Sequence, residues 1–316
     1  MTTAVLAVYA IIAAILLPRV VGRARWADRA PSLAIALWLA ATTSVVVSVL
    51  LAAFALAVPA SMVGQGFAAV FDLCVALFGQ QPGLTSTTTG IALLVAGALA
   101  VRITCCATAV QVRVRTERQH HAAMLRLLGE RDRWLGAIVL DYDERLAYCL
   151  PGRPGEAVIT TAALRALTPG QAEAVLAHER AHLHGRHHLL LAGAEALARS
   201  FPRIPLFERT RSEVARLLEL LADDVAARRH PRILIATALV QLATGRAPDF
   251  ALGAGGDTAV TRVRRMLTHQ APLTPRERLG GLLAVALLLT GPAAVALAPG
   301  FGDFLTHHCH EILLGC

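Results

Sequence analysis

Four apolar runs constrain this chain more tightly than anything else in it: residues 3–18, 32–58, 90–110 and 279–298. An α-helix rises about 1.5 Å per residue, so about 20 apolar residues cross the roughly 30 Å of hydrocarbon in a bilayer. Backbone polar groups in lipid must pair within their own segment, so each run reads as a helical span. A hydrophobic share of 55% and a mean hydropathy of +0.56 exceed those of an ordinary soluble protein. The first run has no small-x-small cleavage site before a polar region, so a span is expected there and not a removed signal peptide. Arg102 interrupts the third run and is expected to snorkel or to pair within the bundle. Gly291-Pro292 is a kink signal in the fourth.

The net charge of +8 first raises nucleic acid as a partner. Aromatic residues are only 5% of the chain, however, and the arginines cluster beside the apolar runs. No direct nucleic-acid binding is therefore expected, and the lipid bilayer is the implied partner. Arg19, Arg23, Arg25 and Arg29 lie between the first two runs. Arg113, Arg115 and Arg118 follow the third, and Arg276 and Arg278 precede the fourth. Residues 59–89 and the tail carry no Lys or Arg. The positive-inside bias then places residues 111–276 in the cytoplasm, and both termini outside a multi-pass plasma-membrane protein. The expected organisation is an anchor over 1–110 with three spans and an extracellular loop at 59–89, including an interfacial helix near 67–78. A cytoplasmic domain follows over 111–276, then a fourth span and short extracellular tail over 277–316. The six cysteines form no CxxC pair. Cys105 and Cys106 read as packing residues, and a disulfide from Cys309 to Cys316, or from one of them to Cys74, is open.

Within the cytoplasmic segment, His178-Glu179-Arg180-Ala181-His182 has the form His-Glu-x-x-His. Helix positions i and i+4 share a face, so the two imidazoles can grip one metal ion, and Glu179 sits where it can take a proton from water held by that ion. The motif must lie on a helix for this to work. Thr168-Pro169-Gly170-Gln171 supplies the start, with Thr168 as N-cap, Pro169 in the first turn and Gln171 completing a capping box. Upstream, residues 146–150 and 157–160 read as two short strands around Pro151-Gly152-Arg153-Pro154-Gly155. Such a hairpin is either purely structural or offers an edge to a peptide. A catalytic zinc takes a third protein ligand and leaves one position open. Glu219 sits at the edge of an apolar helical face formed by Val214, Leu217, Leu218, Leu221 and Val225. Alone it reads as a surface ion pair; below the upstream motif it reads as the third ligand. Asp223, one turn on, can accept from the far nitrogen of a ligand histidine.

These runs, from Ala147-Tyr148-Cys149-Leu150 through Val158-Ile159-Thr160 and Val175-Leu176-Ala177-His178-Glu179-Arg180-Ala181-His182 to Glu219-Leu220-Leu221-Ala222-Asp223, resemble the BlaR/MecR-type membrane metallopeptidases. Those proteins share HExxH plus ExxxD with the HtpX-type membrane proteases. The resemblance implies a mainly α polytopic protein with a cytoplasmic α+β gluzincin-like domain. It makes His178, His182 and Glu219 ligands of one Zn2+, Glu179 the general base and Asp223 a supporting acceptor. It implies cleavage of a protein substrate, with a winged-helix transcriptional repressor as the candidate. Two features depart from that pattern. His187 stands where the antibiotic sensors often carry Asp, five residues after the second histidine. The tail after residue 298 is expected to be too short for a penicillin-binding sensor domain.

Other signals are weaker. His184, His187 and His188 can form a second metal site but read more simply as helix-face residues near the zinc or the membrane surface. The tail carries His307-His308-Cys309-His310-Glu311, where a frayed terminus is the simpler expectation. Thr261-Arg262-Val263-Arg264-Arg265-Met266-Leu267 is basic and amphipathic, fit to lie on anionic headgroups or dock a partner. The functional expectation is a regulatory zinc endopeptidase. An HtpX-like quality-control protease and a non-catalytic zinc-binding membrane protein are the alternatives, and a homodimer is open.

Overall fold

The computed structural model describes residues 2–22, 24, 26–57, 87–152, 154–243, 256–268 and 271–314. The expected 59–89 loop falls outside the described residues up to 86, with its interfacial helix, and its last three residues, 87–89, are helical. The Cys74, Cys309 and Cys316 pairings and the side chains of the His-rich tail also lie outside the described residues or side chains. Among the described residues, four helices are long and apolar enough to cross a membrane: α1 (Thr2–Gly22), α2 (Pro31–Ala57), α3 (Thr87–Leu128) and α10 (Pro275–Leu314).

α2 is the hub of the bundle and packs on α1, α3 and α10. Its sequence explains why. Ala34, Ala41, Thr42, Ser44 and Ser48 are buried, and such small residues let helix backbones approach without a large side chain between them. Their hydroxyls are satisfied: Thr42 donates to the Trp38 and Leu39 carbonyls, Ser48 to that of Ser44, and Tyr9 Oη pairs with Ser44 Oγ at 2.7 Å. Gly281 of α10 meets Leu33 so closely that a Cβ there would fall 2.6 Å from Leu33 Cδ2.

α3 continues unbroken past residue 110, where its apolar part ends. Its lower half is rich in Arg, Gln, Ala and Leu, all good helix formers, and carries the i,i+4 pair Arg113–Glu117 at 2.8 Å. The apolar helix thus becomes a stalk that runs directly into a small sheet. Strands β1 (Gly129–Asp132), β2 (Ala137–Leu140), β3 (Ala147–Leu150) and β4 (Glu156–Thr160) lie in the order β1-β2-β4-β3. β3 and β4 form the antiparallel pair read from the sequence, β2 and β4 are parallel, and β3 is an edge. β1 and β2 carried no readable period, being four residues each. Their turn is set by Asp132 Oδ1, which accepts from the Trp134 and Leu135 amides, and by Gly136 at φ +57°.

Six further helices follow: α4 (Thr161–Ala166), α5 (Pro169–His184), α6 (His187–Ser200), α7 (Pro205–Ala226), α8 (Arg232–Leu242) and α9 (Gly256–Leu267). α7 begins at Pro205, nine residues before the apolar face read from Val214 onward, because Pro205 is accommodated in its first turn. Its apolar face, including Leu206, Phe207, Val214, Leu217 and Leu218, packs into one core with Ala34, Trp38 and Ala41 of α2 and Ala10 and Ala13 of α1. A separate core joins Ala137 and Ile159 of the sheet to Leu176 of α5 and Ala238 of α8.

The α1–α2 connection reaches the same helices. Arg216 of α7 donates to Asp28 Oδ1 at 2.6 Å, Arg265 of α9 to the Asp28 carbonyl at 2.9 Å, and Arg29 pairs with Glu277 at the start of α10 at 2.6 Å. Arg102 pairs with a neighbouring helix: its Nε donates to the Ser200 carbonyl at 2.6 Å and closes the last turn of α6. The tail helix also runs on to Leu314 where a frayed end was expected.

Because Trp38 is almost completely buried where α2 meets α7, Trp38→Ala should cost about 3–5 kcal/mol. Thermal unfolding in detergent checks this; an unchanged midpoint would mean that this interface does not hold the helices together.

Candidate metal centre

The start of α5 fixes the phase of everything after it. Thr168 Oγ1 accepts from the Gln171 amide at 3.4 Å while Gln171 Oε1 accepts from the Thr168 amide at 2.8 Å, so both arms of the capping box are present. Ala172, Val175 and Leu176 then bury against the sheet-side core. That seating leaves His178 and His182 on the face toward α7, both buried. Their Nε2 atoms are 3.1 Å apart.

α7 brings Glu219 to the same point. Glu219 Oε2 lies 3.5 Å from His178 Nε2, and Oε1 lies 3.4 Å from His182 Nε2. A tetrahedral zinc with bonds of about 2.0–2.1 Å separates its ligand atoms by about 3.3 Å. The three edges bracket that figure, so the donor set fits one small ion. All three donors lie within 4.8 Å of one another. Glu179 is half-buried and opens on a cleft of about 1130 Å³ that also exposes the three donors. Edge strand β3 and the lower half of α3 form part of its wall.

Asp223 has no exposed surface. It sits 2.9 Å from His178 Nδ1, which donates to it and keeps Nε2 free for a metal. Its carboxylate also takes two hydrogen bonds from Arg262 of α9, from Nε at 2.8 Å and Nη2 at 2.7 Å. Arg262 Nη1 then reaches Glu219 Oε2 at 2.9 Å. Two cations of the basic 261–267 segment are thereby turned inward, while Arg264 stays exposed. Arg262 serves the site, and Arg265 forks onto Asp224 at 2.7 and 2.8 Å.

His187 takes the zinc-side position of the two that the sequence left open for it. It is buried, and its Nδ1 lies 2.9 Å from His182 Nδ1 with the rings edge-on at 86°. Five residues is the wrong spacing for one helix face, but the chain breaks here: Arg186 is left-handed at φ 48°, and a Cβ on Gly185 would sit 2.4 Å from His187 Nε2. Gly185 between the two histidines was the available signal. His184 stays outside, bonded to the Arg180 carbonyl at 2.7 Å, and His188 lines the cleft wall, its Nδ1 buried without a hydrogen bond. These histidines do not assemble a second metal group among the described residues.

Electrostatics follow from this packing. For His178, burial and then Arg262 disfavour a charge, but the Asp223 and Glu219 carboxylates outweigh them and hold its pKa up at about 10. Burial and the His178 charge push His182 down to about 3. Glu219, despite burial, is drawn down to about 2 by His178 and Arg262. Asp223 is likewise held below the usual carboxylate range, chiefly by Arg262 and then His178. Loss of water raises the pKa of Glu179, the direction that suits a group which must both take and return a proton. Burial and the neighbouring Glu179 and Glu219 push the Cys149 thiol up to about 12, so it stays protonated.

A His-x-x-x-His pair on one helix, a carboxylate from the next, and a glutamate beside the first histidine define a metallopeptidase-type centre. The sequence profile of peptidase family M48 matches residues 110–294, and the chain belongs to that family. No curated protein and no solved structure matches it.

Two outcomes test the centre. Arg262→Leu leaves the buried Asp223 carboxylate with His178 as its remaining partner, which should cost up to about 3–5 kcal/mol, and Lys cannot restore the fork; equal thermal midpoints for wild type and variant would contradict the role given to Arg262. The metal-free protein holds a proton on His178, whose pKa stands near 10. Metal must displace that proton, so zinc affinity should rise about tenfold per pH unit through neutrality. Competition titrations against a chromophoric chelator measure the slope, and a flat profile would contradict it.

Proposed function

We propose that the protein is a zinc-dependent membrane endopeptidase in which His178, His182 and Glu219 hold the ion and Glu179 is the catalytic acid–base. One observation carries this reading: three donors with zinc-sized spacing lie beside a glutamate that opens on a cleft bordered by an edge strand. Bound zinc supplies Lewis acidity, polarising the scissile carbonyl and acidifying the attacking water. Glu179 takes the proton from that water and later delivers it to the leaving amine. Asp223 and His187 hold the far nitrogens of the two histidines, and Arg262 keeps Asp223 and Glu219 ionised. Among the described residues β3 is an edge strand of the sheet, and it lines the cleft, which suits an extended peptide added as a further strand.

The catalytic domain is assigned to the cytoplasmic side. The arginine-rich α1–α2 connection supports this, since it contacts α7, α9 and the start of α10 and so lies on the same side as the centre. Family M48 covers both HtpX-type and BlaR-type membrane metallopeptidases. The regulatory role, relief of a transcriptional repressor, is favoured by the resemblance of the motif runs and by a peptidase segment set between the third and fourth apolar helices.

Glu179→Gln should abolish peptide cleavage while zinc content stays at one per chain, and retained cleavage would sink the mechanism. Glu219→Ala should lose zinc. For the biology, deleting the gene should leave a winged-helix repressor uncleaved; a build-up of damaged membrane proteins instead would favour quality control.

A further inference from the structure

The cleft continues beyond the metal centre. A second cavity of about 490 Å³ lies along the lower half of α3 and shares Arg118, Leu150 and Pro151 with the first. The two cavities therefore border each other at the end of β3, beside Arg118. A peptide laid along β3 from the metal centre passes this point.

The charges along that path are not balanced. Glu117 is taken by Arg113 at 2.8 Å, and Glu195 by Arg199 at 2.7 Å and Arg211 at 3.5 Å. Glu156 is taken by Arg131. Glu179 and Glu219 belong to the metal centre. Arg118 remains, half-buried in the wall, with no carboxylate among the described residues. Arg126, farther along the same helix in the second cavity, is also without one. Eight helical residues separate these two cations by about 12 Å, the length of three or four residues of extended chain. A guanidinium withdrawn from water is expected to be paired, and its planar fork suits carboxylate recognition.

We propose that Arg118 is a specificity residue that selects peptides with an acidic side chain a few residues to one side of the scissile bond, Arg126 extending the same preference farther along. This rests on the peptidase reading, from which its test can be separated. Arg118 lies eight residues below the end of the apolar part of α3 and faces into the cleft, which favours a peptide over a lipid headgroup as its ligand.

The experiment uses the full chain in detergent. Dye-labelled peptides of equal length, acidic or neutral, are titrated onto zinc-loaded Glu179→Gln protein, and a peptide library is digested with wild type and read by mass spectrometry. Acidic peptides should bind about tenfold tighter, a difference that one charge-assisted pair can supply. The difference should shrink at about 0.5 M NaCl through screening. Arg118→Glu should remove the preference and shift cleavage toward Lys- and Arg-containing sequences, with zinc content unchanged. Cleavage with no acidic enrichment would overturn the specificity and leave the peptidase reading intact. Arg118-dependent binding of acidic peptides without cleavage by wild type would do the reverse. If Arg118→Glu instead lowers binding to vesicles containing anionic lipid and leaves peptide preference unchanged, the cation belongs to headgroups and the proposal fails.

Discussion

Asp223 carries a charge in a place with no water, and the rest of the centre is arranged around that fact. A buried carboxylate is tolerated only when cations and hydrogen bonds replace its hydration. Arg262 provides two hydrogen bonds and His178 a third. Each of those partners is drawn into a second task. His178, anchored through Nδ1, turns Nε2 toward His182 and Glu219. Arg262 spends its remaining nitrogen on Glu219 and fixes that carboxylate one helical turn away. The ExxxD spacing matters for this physical reason: positions 219 and 223 share a face, so one guanidinium reaches both.

α7 joins this chemistry to the apolar helices. One side of it carries Glu219 and Asp223 toward α5, and the other buries Leu206, Phe207, Val214 and Leu217 against α1 and α2. The α1–α2 connection ties itself to α7 and α9 through Asp28. The third ligand therefore rides on an element whose position is set by the apolar helix bundle, while the two histidines ride on α5, seated against the sheet. The triangle of donors is closed by the packing between those two bodies, which makes its edges sensitive to how the apolar helices sit against the catalytic helices.

Much of this was legible in the residues. HExxH, the capped helix beneath it, Glu219 and Asp223 are local patterns with fixed helical spacing, and the β3–β4 hairpin announces itself by its Pro/Gly turn. The four apolar helices follow from length and hydropathy. What was hidden depends on contacts far apart in sequence. Arg262 meets Asp223 across 39 residues, and nothing in an amphipathic basic helix distinguishes a guanidinium bound for a buried carboxylate from one bound for a headgroup. His187 was hidden because i+5 is not a helical neighbour; it requires the break at Gly185 and Arg186. Arg102 was readable as a problem, a charge in an apolar run, but not as the cap it forms on α6.

Zinc K-edge X-ray absorption on the full-length zinc-loaded protein tests the centre most directly. The expected spectrum has two imidazoles and oxygen ligands in a single shell at about 2.0–2.1 Å, with no sulfur. A sulfur scatterer at about 2.3 Å would bring Cys149 into the ligand set, and a shell lacking imidazole would remove His178 and His182. Either result would contradict a His178–His182–Glu219 centre.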